Sequence, residues 1–252
     1  MAKPKRAKKD MNQDMSNILE NNDTINSQQL MTNLRRAKLN VEFRNESQKI
    51  VWNKIDKNQI FFAFGPAGTG KSYISALKAV DLVLHTKNND YKKIIIIKPA
   101  VEADEKNGFL PGSLFEKMYP FVFSTLYILE KILGKNKVEK CLELNLIEVM
   151  SLAYMRGINL DECILIMEEA QNMTIKQMIT LLTRIGEHTK FIISGDISQS
   201  DRYKDGKDSG LYYAMEKLKD IEEIDMIEFS QDEIVRNPLI SKMLDRFNGD
   251  VE

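Results

Sequence analysis

The sequence predicts an α/β protein in which a mostly parallel β-sheet is covered by helices on both faces. Short apolar runs alternate with stretches of helical periodicity along most of the chain, and this alternation favours a parallel sheet. The strand candidates are continuous and rich in β-branched residues, as in KKIIIIK, which is typical of strands buried on both faces. The chain has 252 residues and 43% are hydrophobic, which is enough for one sizeable core.

The first 33 residues are expected to form a polar tail outside this fold. The first ten residues carry a net charge of +4, so the remaining chain carries −5 of the total of −1. Residues 11–33 are rich in Asn, Gln, Asp and Ser, a composition typical of disorder, with a short helix near 16–20 as an option. We therefore predict a tail over 1–33 and a single domain over 34–252. The tail is open to two interpretations, a nucleic-acid arm or a solubilising terminus.

The elements of the domain are predicted in the following order. A polar cap followed by apolar residues at helical spacing makes NESQKIVWNKI the first helix. The predicted strands are QIFFAF, KKIIIIK, LIEVMS, CILIME, KFIISGD and IDMIEFS. A loop-rich section over 99–117 leads into helical stretches that end near residue 142. The other predicted helices are KSYISALKAVDLVLH, TIKQMITLLTRIG, SGLYYAMEKLKD and NPLISKMLDRF.

Several classes of protein are disfavoured by the composition. No apolar run approaches the roughly 18 residues that span a bilayer, and the basic start is not followed by the apolar stretch of a secretory signal. Two cysteines and two histidines lie far apart and have neither metal-ligand spacing nor a disulfide framework. We therefore expect a cytoplasmic protein with no membrane partner.

The stretch from Gly65 to Ser72, GPAGTGKS, matches the pattern G-x-x-x-x-G-K-[ST] in full, between a strand and a helix. Glycines let the backbone wrap closely, so that its N–H groups and the helix N-terminus point at phosphate oxygens. Lys71 is predicted to bridge the β- and γ-phosphates of a nucleoside triphosphate and Ser72 to bind Mg²⁺. The predicted nucleotide-binding residues here are Gly65, Pro66, Ala67, Gly68, Thr69, Gly70, Lys71, Ser72 and Tyr73.

Two further strands end in polar side chains, at the sheet edge where ligands bind in α/β folds. After CILIM, Glu168 is predicted to hold Mg²⁺ through water and Glu169 to polarise the attacking water; a solvated helix start is the alternative. After FIISG, Gln199 is a candidate to contact the γ-phosphate or that water. The alternative is that Asp196 and Gln199 only cap the next turn.

The longer phrases of the sequence resemble the PhoH family of P-loop ATPases from about residue 43 to 247. They are GPAGTGKS, KPAVEADEKNGFLPGSLFEK, LAYMRG, MEEAQNMTIKQMITLLTRIG, SGDISQSD and DEIVRNPLISKM. The resemblance implies a RecA-like fold related to the first motor domain of superfamily 1 helicases. It also implies the short, ATPase-only form that many bacteriophages carry, and hence the cytoplasm of a bacterial host cell.

The resemblance also implies roles for single residues. Glu168 and Glu169 stand at the metal and water-activating positions, and Gln199 at the helicase-like third motif. Gln48 is similar to the helicase glutamine that reads adenine; a surface glutamine on a helix is the alternative. The family usually has Asp where this chain has Glu168, and one extra methylene moves the carboxylate by about 1.5 Å.

An arginine and a nucleic-acid partner are the remaining expectations. Arg236 in EIVRNPL matches a family motif and is favoured as an arginine finger over Arg184 and Arg202, for all of which surface ion pairing is the alternative. Since one RecA-like lobe lacks the second lobe of a helicase, a homo-oligomeric ring is expected, with six subunits as one option. Lys98 replaces the family's arginine in KPAV and removes its bidentate fork.

Two functions follow from these motifs. The first is an ATPase coupled to RNA or single-stranded DNA, which the phosphate loop, the acid pair and the helicase-like glutamine favour. The second is an ATP-dependent switch or assembly protein with slow turnover and no role for nucleic acid, which the unusual Glu168 favours. A small-molecule kinase is a weaker third possibility, since no acceptor-binding lid is visible.

Overall fold

The computed structural model describes residues 26–36, 38–86, 90–99, 114–200, 208–235 and 246. The strands are β1 Ile60–Phe64, β2 Lys93–Ile97, β3 Ile147–Met150, β4 Cys163–Met167, β5 Lys190–Gly195 and β6 Ile224–Glu228. The helices are α1 over 26–35, α2 Glu46–Lys57, α3 Lys71–His85, α4 Leu114–Leu133, α5 Lys135–Glu143, α6 Ile175–Leu182 and α7 Gly210–Leu218.

The six strands form one sheet in the order β3-β2-β4-β5-β1-β6, and every neighbouring pair is parallel. This confirms the predicted α/β, RecA-like class. All strands therefore end at the same edge, which we call the C-terminal edge of the sheet. Strand β5 separates β1, which precedes the glycine-rich loop, from β4, which precedes the acid pair. The polar residues after these three strands are thus brought together.

Helices cover both faces of the sheet because successive strand residues point to opposite sides. On one face, Phe61 and Ile96 pack with Val51 of α2 and Ile74 of α3. On the other face, the core includes Phe62 and Ile95 of the strands together with Met178 of α6 and Leu211 of α7. Burial on both sides explains why the central strands read as continuous apolar runs.

The predicted strands and the helices now labelled α2, α3, α6 and α7 are confirmed, and local signals set their ends. Asn45 caps α2 by accepting from the Gln48 N–H at 2.8 Å. Thr174 and Gln177 form a reciprocal capping box at the start of α6. Helix α4 begins at Leu114, within the section predicted as loop. The predicted helix NPLISKMLDRF and the short helix near 16–20 lie outside the described residues, apart from residue 246.

The expectation of a disordered tail up to residue 33 was wrong for residues 26–33. They belong to α1, in which Met31 and Leu34 are 9% and 2% exposed and pack near Val83 and Leu133. The polar composition of the segment hid two apolar residues three positions apart, which lie on one face of a helix. Residues 1–25 lie outside the described part of the chain.

Among the described helices, none combines the length and the apolar character that crossing a bilayer requires.

Candidate functional site

A cleft of about 300 Å³ opens at the C-terminal edge, between the ends of β1, β4 and β5. From the glycine-rich loop it is lined by the predicted residues Ala67, Gly68, Gly70, Lys71, Ser72 and Tyr73. From the other strands it is lined by Glu168, Glu169, Asp196 and Gln199. The structure thus brings together most of the residues singled out from the sequence. Three other residues of the predicted loop do not line the cleft: Gly65, Pro66 and Thr69. Gln48, which does not line it either, supports the loop from α2.

The loop between β1 and α3 depends on glycine at two close approaches. Gly65 has a φ of +123°, and a Cβ there would lie 2.4 Å from the carbonyl oxygen of Phe229. Gly70 has a φ of +87°, and a Cβ there would lie 2.4 Å from Nε2 of Gln48. Both positions require a backbone that side chains rarely adopt and a space that a methyl group would fill. The neighbours beyond the loop therefore fix its path.

Internal hydrogen bonds hold two polar side chains of this loop. Lys71 is 9% exposed, and its ammonium donates to the carbonyl oxygens of Gly65 and Pro66, both at 2.7 Å. The Thr69 hydroxyl donates to the same Pro66 oxygen at 3.1 Å. The only lysine of the loop is thereby held at the cleft wall by the loop's own backbone, with its charge beside the cavity.

Side chains of α2 hold the loop from outside. Gln48 is 1% exposed; its amide donates to the Thr69 carbonyl and accepts from the Arg44 N–H, both at 2.9 Å. Gln48 is therefore not a surface glutamine, and its adenine-reading role stays a prediction. The sequence analysis missed Asn45, whose amide donates to the Glu233 carbonyl at 3.1 Å and so ties α2 to the segment after β6.

The acidic side of the cleft has buried oxygens without partners. Glu168 is 3% exposed; Thr125 of α4 donates to Oε2, whereas Oε1 has no partner among the described residues. Asp196 is 6% exposed; its Oδ1 accepts from the Ser198 N–H at 3.0 Å and hydroxyl at 2.6 Å, whereas Oδ2 has no such partner. Burying a carboxylate oxygen without a partner costs free energy, and a cation bound between these two oxygens would offset that cost.

These residues fit a Mg²⁺ ion bound together with a phosphate. Mg²⁺ takes few protein ligands beside phosphates and waters, and the hydroxyl of Ser72 shares the cleft with Glu168 and Asp196. Within the described ranges, no cluster of three or more His, Cys, Asp or Glu side chains offers an alternative metal site. The Glu168 carboxylate, one methylene longer than aspartate, is held at one oxygen by Thr125, which directs the other.

Glu169 has a strained backbone and two partners. Its φ of +54° lies in the left-handed region, which is unfavourable for a non-glycine residue and common at functional sites. Its Oε2 accepts from the amide of Gln171 at 2.7 Å, and its Oε1 lies 3.6 Å from the ammonium of Lys98. Lys98, which stands where the family usually has arginine, thus lies beside Glu169, the carboxylate predicted to polarise the attacking water.

Gln171 is a site residue that the sequence analysis passed over. It is 1% exposed, donates to Glu169, and through Oε1 accepts from the Asp196 N–H at 3.0 Å. One amide therefore links the residues that follow β4 and β5. Its place two residues after the acid pair that follows β4 was the available signal.

Of the remaining predicted residues, Asp196 and Gln199 lie at the cleft, whereas Arg184 does not. Gln199 is exposed and lines the cleft, while Asp196 both caps the turn over 197–199 and lines the cleft. Arg184 lies at the opposite edge of the sheet, where its carbonyl accepts from Leu160 N–H, and its guanidinium donates to the Ile158 carbonyl at 3.3 Å. Arg202 and Arg236 lie outside the described residues.

Comparison with known proteins finds one family model and relatives that carry the same description. The family model described as PhoH-like protein matches residues 40–248. A PhoH-like protein of Bacillus subtilis is 41% identical over 232 residues, which are 92% of this chain and 71% of that relative. A PhoH-like protein of Mycobacterium leprae is 40% identical over 214 residues, 85% of this chain and 60% of the relative. The chain thus spans less than two thirds of the length of the second protein.

Among solved structures, the Pif1 helicase from Candida albicans matches 82% of this chain and 44% of its own, with a TM-score of 0.41 and 15% identity. At that level of similarity it does not inform the function of this chain.

Proposed function

The chain belongs to the family of PhoH-like proteins, and on that premise we propose that it binds ATP with Mg²⁺ and hydrolyses it. One observation carries the proposal. A glycine-rich loop faces two buried carboxylate oxygens across one cleft at the C-terminal edge of the sheet, and neither oxygen has a partner among the described residues. A nucleoside triphosphate with a divalent cation would satisfy both sides at once.

The loop would hold the phosphates. The backbone N–H groups of residues 65–72 and the N-terminus of α3 favour an anion, and Lys71 would exchange its bonds to the loop carbonyls for bonds to the β- and γ-phosphates. Ser72 and Glu168, with Asp196 nearby, would hold Mg²⁺. The ion when bound supplies positive charge that neutralises the phosphate oxygens during transfer.

Glu169 would orient and polarise the attacking water. Its neighbours Lys98 and Gln171 hold the carboxylate at the mouth of the cleft, which supports a fixed position for the water beside it. Gln199, exposed on the same rim, would contact the γ-phosphate or that water. For Gln48 we propose two duties, support of the loop and recognition of adenine.

An arginine from a neighbouring subunit is part of the proposal. Arg236 remains the candidate because it stands in the family motif EIVRNPL. We further propose a homo-oligomeric ring, coupling to RNA or single-stranded DNA, and a bacteriophage origin with a cytoplasmic location. These four points rest on the family resemblance.

A slowly hydrolysing switch is the second candidate function. It is favoured by Glu168 in place of aspartate and by the contacts that Glu169 makes with Lys98 and Gln171. Breaking those contacts before each turnover would slow hydrolysis.

The test is steady-state phosphate release by the purified protein with Mg²⁺ or EDTA, with and without single-stranded RNA and DNA, beside Lys71→Ala. The proposed ATPase predicts Mg²⁺-dependent turnover that the variant lacks and that nucleic acid stimulates. Tight ATP binding with turnover no faster than in the variant would favour the switch.

A further inference from the structure

A second concave surface lies on the face of the sheet covered by α6, outside the cleft. This groove has a volume of about 390 Å³ and lies between α6 and the 3₁₀ turn Leu152–Met155 that follows β3. Since both segments start where parallel strands end, the groove begins at the same C-terminal edge as the cleft. Its position makes it accessible to a ligand that also approaches the cleft.

The lining of the groove carries positive charge and no negative charge. The chain carries 36 basic and 37 acidic side chains, yet the seven residues lining the groove include Arg156 and Lys176 and no carboxylate. Both cations are exposed, and neither forms an ion pair with another residue in the described part of the chain. Lys92 and Lys140 do have carboxylate partners, whereas Lys137 of α5 has none among the described residues. Two such cations at one groove favour an anionic ligand.

The turn that lines the groove also carries an exposed aromatic side chain. Tyr154, two residues before Arg156, is 63% exposed, the largest value among the exposed large hydrophobic side chains of the described residues. Its backbone is fixed, because Ser151 caps the 3₁₀ turn and accepts from the Tyr154 N–H at 3.0 Å. An aromatic ring on a rigid turn is a platform on which an unpaired base can stack.

The groove is linked to the cleft by a short stretch of chain. Thr174 lines the groove and caps α6, and it lies five residues after the strained Glu169. The intervening turn over 170–172 is buried and carries Gln171, which contacts Glu169. A ligand that shifts the start of α6 therefore acts on the residue proposed to activate water.

From these observations we propose that the groove binds single-stranded nucleic acid, with Arg156 and Lys176 on phosphates and a base stacked on Tyr154. The proposal rests on the proposed function and identifies the surface through which nucleic acid reaches the ATPase site. Single strands are favoured over duplexes because only unpaired bases expose a face for stacking.

The experiment measures binding of fluorescein-labelled oligo(U) RNA and oligo(dT) by anisotropy across a salt series, with the full chain. The double variant R156A/K176A should weaken binding about tenfold or more and flatten the slope of log Kd against log salt by about 1.4, since each lost phosphate contact contributes about 0.7. Tyr154→Ala should weaken binding roughly 5- to 100-fold and leave the slope unchanged. RNA and DNA arms show which strand is preferred.

Matched controls are Lys137→Ala, an exposed unpaired lysine of α5, and Tyr127→Ala, an aromatic residue 47% exposed on α4. Both should bind as wild type, and all variants should retain wild-type basal ATP hydrolysis and melting temperature. Groove variants that bind as tightly as wild type, or weakening by Tyr127→Ala instead, would overturn the assignment. If wild type binds neither strand yet hydrolyses ATP, the groove proposal fails alone; absence of hydrolysis would remove the proposed function itself.

Discussion

The two sides of the cleft differ in how their polar groups are satisfied. On the loop side, Lys71, Thr69 and Gln48 bond to the loop's own carbonyl oxygens. On the acidic side, Glu168 and Asp196 each leave one buried oxygen without a partner in the described part of the chain, and Glu169 has a left-handed backbone. The side chains of Lys71, Thr69 and Gln48 thus have hydrogen-bond partners within the protein, whereas the acidic side keeps buried oxygens that a bound cation would satisfy.

The largest expected effect comes from breaking the loop side at Lys71. Lys71→Ala removes the charge that would face the β- and γ-phosphates, so turnover should fall roughly a thousandfold and ATP affinity should fall with and without Mg²⁺. Phosphate-release and equilibrium binding assays measure the two quantities. Hydrolysis retained at more than a tenth of the wild-type rate would show that the loop is not the phosphate site.

Breaking the acidic side at Glu169 should separate binding from turnover. Glu169→Gln keeps the shape of the side chain but removes the proton acceptor, so turnover should fall roughly 100- to 1,000-fold with ATP affinity nearly unchanged. Single-turnover kinetics and nucleotide titration provide the check. Equal, slow phosphate release by variant and wild type would instead support the switch.

Loosening the Glu168 carboxylate, which is proposed to hold the metal, should affect hydrolysis less than either change above. Thr125→Val removes the hydroxyl that donates to Glu168 with little change in volume, so the carboxylate loses its fixed direction. We expect the Mg²⁺ concentration for half-maximal hydrolysis to rise about tenfold, in line with losses of supporting residues at metal sites. Thr180→Val, which removes an exposed hydroxyl of α6 that donates to the Lys176 carbonyl, is the control. An unchanged Mg²⁺ requirement would show that Thr125 acts only in packing.

On the loop side, Gln48 offers a test of stability. Gln48→Ala removes the closer of the two amides that donate to the Thr69 carbonyl, the other being Asn45 at 3.4 Å, and should lower the free energy of unfolding by about 0.5–1.5 kcal/mol. Chemical denaturation measures that loss, and the ratio of ATP to GTP affinity in the same variant tests the adenine role. A preference for ATP that survives the substitution would leave Gln48 with loop support alone.

The smallest expected effect is a change of stability with pH at Lys190, which lies away from the cleft and serves as a reference. Burial lowers the pKa of Lys190 from 10.5 to about 8, although its ammonium donates to the Ile55 and Asn58 carbonyls at the end of α2. Between these values the unfolded chain binds more protons, so stability rises with pH; from pH 8 to 9 the gain should be about 1 kcal/mol.

The cysteines act in the opposite direction over an overlapping range of pH. Burial raises the pKa of Cys141 and Cys163 from 9.0 to about 11, so their stabilising effect is lost as the pH rises from about 8 through 11, by about 0.7 kcal/mol in total between pH 8 and 9. Urea denaturation at pH 8 and 9 should therefore show a net rise of only about 0.3 kcal/mol in wild type. In Lys190→Met, which keeps both cysteines, stability should instead fall by about 0.7 kcal/mol over this step, whereas Lys92→Met on the surface should behave as wild type. The difference between wild type and Lys190→Met isolates the lysine, and the absence of any difference would assign the effect to another group.

The sequence predicted the loop side better than the acidic side for a physical reason. Residues 65–72 act through backbone geometry that a local glycine pattern encodes, and β1 and α3 follow their predicted bounds closely. The contacts of the acidic side join distant segments, such as Thr125 with Glu168, Lys98 with Glu169 and Gln171 with Asp196. Only the sheet order brings these pairs together, so no local pattern signals them. Likewise, α1 was hidden because its burial depends on residues far along the chain.

The most direct test of the account is the gain in affinity for a non-hydrolysable ATP analogue that Mg²⁺ produces. In wild type we expect Mg²⁺ to tighten binding at least tenfold over EDTA. Glu168→Gln and Asp196→Asn, which keep size and remove charge, should lose most of that gain and bind the analogue normally in EDTA. If both variants retain the full Mg²⁺ gain, the unpartnered carboxylates are not the metal site and the division between the two sides of the cleft is wrong.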